Sequence, residues 1–290
     1  MKRNEEDKDL HGLPIAPSMQ PALHQLESDR LKKREPYHLL RMIWYSFILG
    51  LIGGGVAWIL TKLIYIITNA AFYGQFSSEH AVPEGHALGW MVIFVPVIGG
   101  ILVGLMARYG SQGIRGHGIP EAMEHVLHNQ SRIPPRLAFL KPLSSAVTIG
   151  TGGPFGAEGP IIATGGALGS LLGQLKKTTA DERKILLAAG AAAGMSATFG
   201  SPVSAVLLVM ELLLFELRAF SIIPVAIASV TAVAVRFITV GSAPVFPMTD
   251  FPAASATALF VYTIIGCGIG VLAVAITKIV YSVEELFERL

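Results

Sequence analysis

Four stretches of this chain contain no Asp, Glu, Lys or Arg: Met42–Thr61, Gly89–Ala107, Ile185–Met210 and Ala253–Thr277. A helix that crosses the hydrocarbon of a bilayer needs about 20 such residues. Within that layer only α-helices and closed barrels satisfy their own backbone polar groups. Overall, 14% of residues are charged, against about 25% in soluble domains, and mean hydropathy is +0.58. The runs therefore predict an all-α, polytopic membrane protein, and a net charge of +2 implies no nucleic-acid partner.

Residues 1–36 mix charges with prolines and show little periodicity, which predicts a disordered tail, with 37–290 as the transmembrane domain. Arg30, Lys32, Lys33, Arg34 and Arg41 precede the first span. By the positive-inside rule they hold the N-terminus in the cytoplasm, so the expected location is an inner or plasma membrane. Loop 71–88 has Glu79 and Glu84 but no Lys or Arg, as an outside loop should. Arg108, Arg115, Arg132, Arg136 and Lys141 read as a basic loop inside, followed further on by Lys176, Lys177, Arg183 and Lys184.

Between those basic groups, residues 142–175 are apolar or small but interrupted by seven glycines and prolines within 150–160. Neither half is long enough to span, so two short helices meeting at depth are expected. Broken helices there are tolerated only when buried in protein or lining a cavity. In 185–217, Ser201 is expected as the N-cap and Pro202 as the first residue of a second helix. Further spans are expected at 220–238 and 253–280, on either side of an outside loop containing Asp250. Up to residue 240 the chain makes an odd net number of crossings, so a second such unit would be inverted. Inverted-repeat transporters place their sites on discontinuous helices at the repeat interface.

Two segments share one design, "GHGIPEAMEH" (116–125) and "GAEGPIIATGG" (156–166). Each has a residue fenced by glycines and then a proline expected to open a helix. Glycines let backbone N–H groups approach a ligand closely. A helix N-terminus carries about +0.5 of a charge and free donors, and so binds anions. Glu158 is the one acid in Gly150–Ser170. A carboxylate at mid-bilayer costs about 2.5–3.5 kcal/mol on insertion scales, so it should face a cavity, be protonated or sit against donors. Two roles fit: a gate that occupies the anion's place and leaves when protonated, or a cap that accepts helix N–H bonds.

"GHGIPE", "GPFGAEGP" and "AAGAAAGMSATFGSPVSAVLLVMEL", in that order, resemble motifs of the ClC family of chloride channels and chloride/proton antiporters. The resemblance covers roughly residues 38–282. It implies a ClC-type inverted-repeat fold of tilted and broken helices, here the first repeat plus the first helix of the second. It implies chloride as the transported ligand, protons as a second partner, a homodimer through helices matching roughly 202–238, and no cofactor. It assigns the gate to Glu158 and anion-binding backbone to Gly116, His117, Gly118, Ile119, Ala157, Glu158 and Gly159.

Three departures stand beside the resemblance. His117 replaces the usual Ser, and an imidazole is bulkier and titrates near neutral pH. Many antiporters carry adjacent acids where this chain has Glu211 and Leu212; Glu211 and Glu216 are the candidates for a proton path, and channel versus antiporter stays open. Nothing after residue 250 matches the family's second-half helix terminus or its tyrosine, although Tyr262 and Tyr281 are in or beside the last span. The expectation is a fragment, or a protein whose other half is a separate chain, and the alternative function is a non-conducting scaffold.

No catalytic or metal residues are expected, and the protein is not read as an enzyme. "EAMEH" is not a zinc-protease signature, and there is no phosphate loop or G-x-S-x-G turn. Gly165, Gly169 and Gly173, spaced by four, predict a helix seam, and Gly53, Gly54, Gly190 and Gly194 predict further close packing. Trp44, Trp58 and Trp90 are expected at the lipid or its interface.

Overall fold

The computed structural model of the chain describes residues 36–288 except 117, 217, 244 and 246–254. The tail to residue 35, His117 and Asp250 lie outside the described residues. Helix α1 (Pro36–Thr68) is extended by a π-helical turn, Asn69–Tyr73, and stops at left-handed Gly74. A 3-10 turn, Gly89–Ile93, leads into α2 (Phe94–Tyr109). Then come α3 (Ile119–His128), α4 (Leu137–Gly150), α5 (Glu158–Leu175) and α6 (Ala180–Phe199). Helix α7 (Pro202–Val209) runs into a second π-turn, Met210–Leu214, and α8 (Ala219–Thr239) closes the first compact unit. A separate unit holds α9 (Ala256–Glu288). No strand occurs among the described residues, and four helical segments, 38–73, 89–109, 219–239 and 256–286, are long and apolar enough to cross a membrane.

Helix α6 is the centre of the first unit. Leu186, Leu187, Ala188, Ala189, Ala191, Ala192 and Ala193 are fully buried, so the helix is covered all round rather than on one stripe. It packs on α5, α8, α1 and α7. Lipid gives helices no hydrophobic reason to associate, so close approach through small residues supplies the packing. A Cβ on Gly165 would strike the Gly190 carbonyl oxygen, one on Gly190 would strike that of Gly165, and one on Gly169 would strike that of Leu186. On the other side, a Cβ on Gly53 would lie 2.8 Å from that of Ala193, and one on Gly54 would lie 2.7 Å from that of Val235. The glycines at 53, 54, 165, 169, 190 and 194 thus pack as their spacing implies. Trp44, Trp58 and Trp90 are exposed on the first unit's surface.

Polar contacts fix the ends. Thr179 and Glu182 form a reciprocal capping box at the start of α6: Thr179 N–H donates to Glu182 Oε2 (3.1 Å) and Glu182 N–H to Thr179 Oγ1 (3.3 Å). Glu182 also accepts from Arg41 (2.6 Å), tying the start of α1 to the start of α6. The loop after α3 is stitched to α5 by Ser170, whose hydroxyl donates to Ser131 O (2.6 Å) and accepts from Ile133 N–H (2.9 Å).

At 1.5 Å per residue, α4 is about 21 Å long and α5 about 27 Å, each short of a hydrocarbon layer about 30 Å thick. The broken pair expected from 142–175 is present, joined by 151–157. Two expectations change. Ser201 holds the N-cap position of α7, but its hydroxyl donates back to Phe199 O (3.4 Å) and caps nothing. Lys141 belongs to no basic loop: it is inside α4 and 4% exposed.

Candidate functional site

The two glycine-fenced segments start helices, one and two residues upstream of where a proline at the first position would put them. Pro120 is the second residue of α3 and Pro160 the third of α5, which begins at Glu158 itself. Neither position costs a hydrogen bond, because the first four N–H groups of a helix have no intrahelical partner. In α5 the first helical bond runs from Ile161 N–H to Ala157 O (3.0 Å). The amides of Glu158 and Gly159 therefore precede the ladder. Ala157 holds the N-cap position.

The structure brings the two starts into contact. Gly118, at φ +95°, is buried; a Cβ on it would lie 2.6 Å from Gly159 O and 2.8 Å from the Ala163 methyl. Only a residue without a side chain lets the backbone of α3 reach that of α5 here. Gly118 and Ile119 of the first motif thus adjoin Gly159 of the second. A cavity of about 320 Å³ borders both motifs, with Arg115, Gly116, Ser144, Thr148, Gly156 and Pro160 in its wall.

Two residues that motif reading passed over shape the first loop. Lys141 Nζ donates to three successive carbonyls, Ile114 (3.0 Å), Arg115 (3.3 Å) and Gly116 (2.9 Å). Those oxygens converge on one cation, which fixes the loop before α3. Glu121 reaches back from the third position of α3 and accepts the Gly118 N–H (2.6 Å). A Cβ on Gly116 would strike its other oxygen. This is half of a capping box, and the signal was present: Glu three residues after the cap is its signature. In this structure the Gly118 amide therefore has a carboxylate partner already.

Glu158 differs. It is exposed, and among the described residues its carboxylate forms no hydrogen bond or ion pair. As the first helical residue it does not turn back to cap α5. The two acids expected on a proton path are placed apart from this site in sequence and in role. Glu216 accepts from Ser221 Oγ (2.6 Å) and lies 3.5 Å from Arg218 Nε, at the start of α8. Glu211 is exposed in the π-turn after α7.

A model of the voltage gated chloride channel family matches residues 99–290. The chain is 24% identical to a ClcB-like protein of Ralstonia nicotianae, over 83% of this chain and 58% of that one. It is 27% identical to an H(+)/Cl(-) exchange transporter ClcA of Salmonella schwarzengrund, over 86% of this chain and 53% of that one. In structure it is similar to a slow cyanobacterial Cl-/H+ antiporter, with a TM-score of 0.68, 24% identity, and 88% and 59% of the two chains covered. The chain therefore spans little more than half the length of these relatives.

Proposed function

The chain belongs to the voltage gated chloride channel family, and from that premise we propose that it serves chloride transport across a membrane, gated by Glu158. The observation that carries the reading is the exposed carboxylate of Glu158, without a partner among the described residues, at the first turn of α5 beside the start of α3. Ionised, the carboxylate competes with a small anion for the amides that precede the helical ladder and for the positive end of α5. Protonated, it loses that attraction and yields the place. The backbone of Gly116, Ile119, Ala157 and Gly159 supplies the anion's donors in this reading, while the Gly118 amide is shared with Glu121. Binding by amides alone, with no lysine facing the ion, suits passage, which needs sites weak enough to leave.

Protons are the second partner in the reading, and the printed activity of the Salmonella relative is an exchange. Glu216, held by Ser221 and Arg218, is better suited to fixing the start of α8 than to carrying protons, which leaves Glu211 as the exposed acid. A homodimer through α7 and α8, an N-terminus in the cytoplasm and an inner or plasma membrane belong to the same proposal. The second reading, a scaffold that conducts only with another half or partner chain, is supported by the share of the relatives' length that the chain spans.

The test is chloride efflux from liposomes holding the purified protein, followed against pH. The expected result is flux that rises as the pH falls, and a Glu158→Gln variant that conducts without that dependence. An unaltered pH dependence in the variant refutes the gate. No flux from a folded wild-type chain favours the scaffold.

A further inference from the structure

Away from the two motifs, where α5 ends and α6 begins, there is a cavity of about 380 Å³ lined by Arg132, Gln174, Lys177, Thr178 and Arg183. Arg132 also borders an adjoining depression with His125, His128, Asn129, Gln130 and Pro134. Among the described residues neither lining contains a carboxylate. Three cations around one hollow with no anion in its wall is an arrangement that repels itself.

Arg183 makes the imbalance sharper. It is 5% exposed, and its guanidinium donates only to carbonyls, Gln130 O from NH1 (3.0 Å) and Thr178 O from NH2 (2.9 Å). Its Nε–H is buried without an acceptor among the described residues. A buried charge is normally paired, because its lost hydration is not otherwise recovered. The acid next to it in sequence, Glu182, is engaged by Arg41 and the Thr179 amide. Burial first, and then the Arg132 guanidinium, push the Arg183 pKa below its ordinary value, as expected of like charges held together. Lys177 adds a third charge from a tight turn, at φ +50°, that leads out of α5.

We propose that this cavity binds a phosphoryl group, with Arg132, Lys177 and Arg183 as its counter-charges. The chemistry selects that class. A guanidinium is a planar fork that matches the oxygens of phosphate, and two of the three cations are arginines. The volume equals that of about a dozen waters, ample for a phosphoryl head. A soluble phosphate compound and the headgroup of an anionic phospholipid share this chemistry. Occupancy would brace the loop 129–133, because Arg183 already holds Gln130, and Ser170 and Gln174 hold Ser131 and Ile133. That loop is the far end of α3, the helix whose start adjoins α5.

The experiment is thermal unfolding of the full chain in detergent and in lipid nanodiscs, which reads no transport and so stands apart from the chloride proposal. In detergent the probe is inorganic phosphate, with sodium chloride at matched ionic strength as control. In nanodiscs, phosphatidic acid is compared with phosphatidylcholine alone. The expected result is saturable stabilisation by phosphate, by phosphatidic acid or by both, which identifies the source. The variants are Arg132→Gln and Lys177→Gln, both exposed, because Arg183→Gln removes contacts that hold the loop. Each should weaken apparent affinity about tenfold, equivalent to about 1.4 kcal/mol. Stabilisation no greater than with chloride and phosphatidylcholine, or full affinity in both variants, overturns the proposal.

Discussion

Replacing Gly118 by Ala tests the contact on which the candidate site depends. Gly118 is at φ +95°, a conformation that costs a residue with a side chain about 1–3 kcal/mol. The new methyl would then lie 2.8 Å from that of Ala163 and 2.6 Å from Gly159 O. Carbon atoms settle at about 3.5–4.0 Å, so the starts of α3 and α5 must separate by close to 1 Å. Overpacking of that kind costs about 1–3 kcal/mol. The sum, about 2–6 kcal/mol, is large against the stability of a typical domain. Denaturant unfolding of the purified protein in micelles reads it.

A second substitution separates the contact from the backbone strain. Ala163→Gly removes one of the two obstacles and leaves Gly159 O, so the double variant should recover part of the loss. The expected coupling is about 0.5–3 kcal/mol. If Gly118→Ala lies within about 0.5 kcal/mol of wild type, or if the two substitutions simply add, the starts of α3 and α5 do not press together and the argument fails.

Two further outcomes follow from the polar contacts. Lys141→Met should cost about 3 kcal/mol or more, because three carbonyls at 114–116 lose their donor, and hydrogen exchange should show that loop opening. Glu182 lies just before the uncharged run that begins at Ile185; burial raises its pKa, but the Thr179 amide, Arg41 and His38 together bring it below the ordinary 4.5. Its folded value is the lower one, so its contribution is complete above 4.5 and is lost as the pH falls from there through the folded value. Wild type should therefore lose stability in that acid window, and Glu182→Gln should lack that loss while being about 1–3 kcal/mol less stable at neutral pH.

The uncharged runs and the small-residue spacings were legible because both act locally or with helical period. Helix α8 was expected at 220–238 and is Ala219–Thr239; the Gly165–Gly169 seam is where its four-residue repeat puts it. The start of α5 was less legible. A proline is tolerated anywhere in a first turn, so Pro160 marks a helix start only to within that turn. Lys141 was misread because its partners are 25 to 27 residues away, and hydropathy along the chain does not tell a loop lysine from a buried one that holds a loop. Glu121 is less legible for a different reason: the cap it serves is a glycine, Gly118, which has no side chain to complete the reciprocal pattern.

The seam between α5 and α6 has a consequence for time as well as for shape. At Gly165, Gly169 and Gly190 the two backbones meet with no side chain between them. An interface built of side chains can adjust by small changes of rotamer, each a fast local step. At these three positions there is none to change, so α5 answers a push at its start as a stiff rod seated in α6. An exposed side chain such as Glu158 reorients in picoseconds to nanoseconds, whereas shifting a packed helix takes microseconds or longer. The first turn of α5 therefore joins the quickest kind of element in the fold to one of the slowest. A reorientation of that side chain is complete long before the helix beneath it has moved.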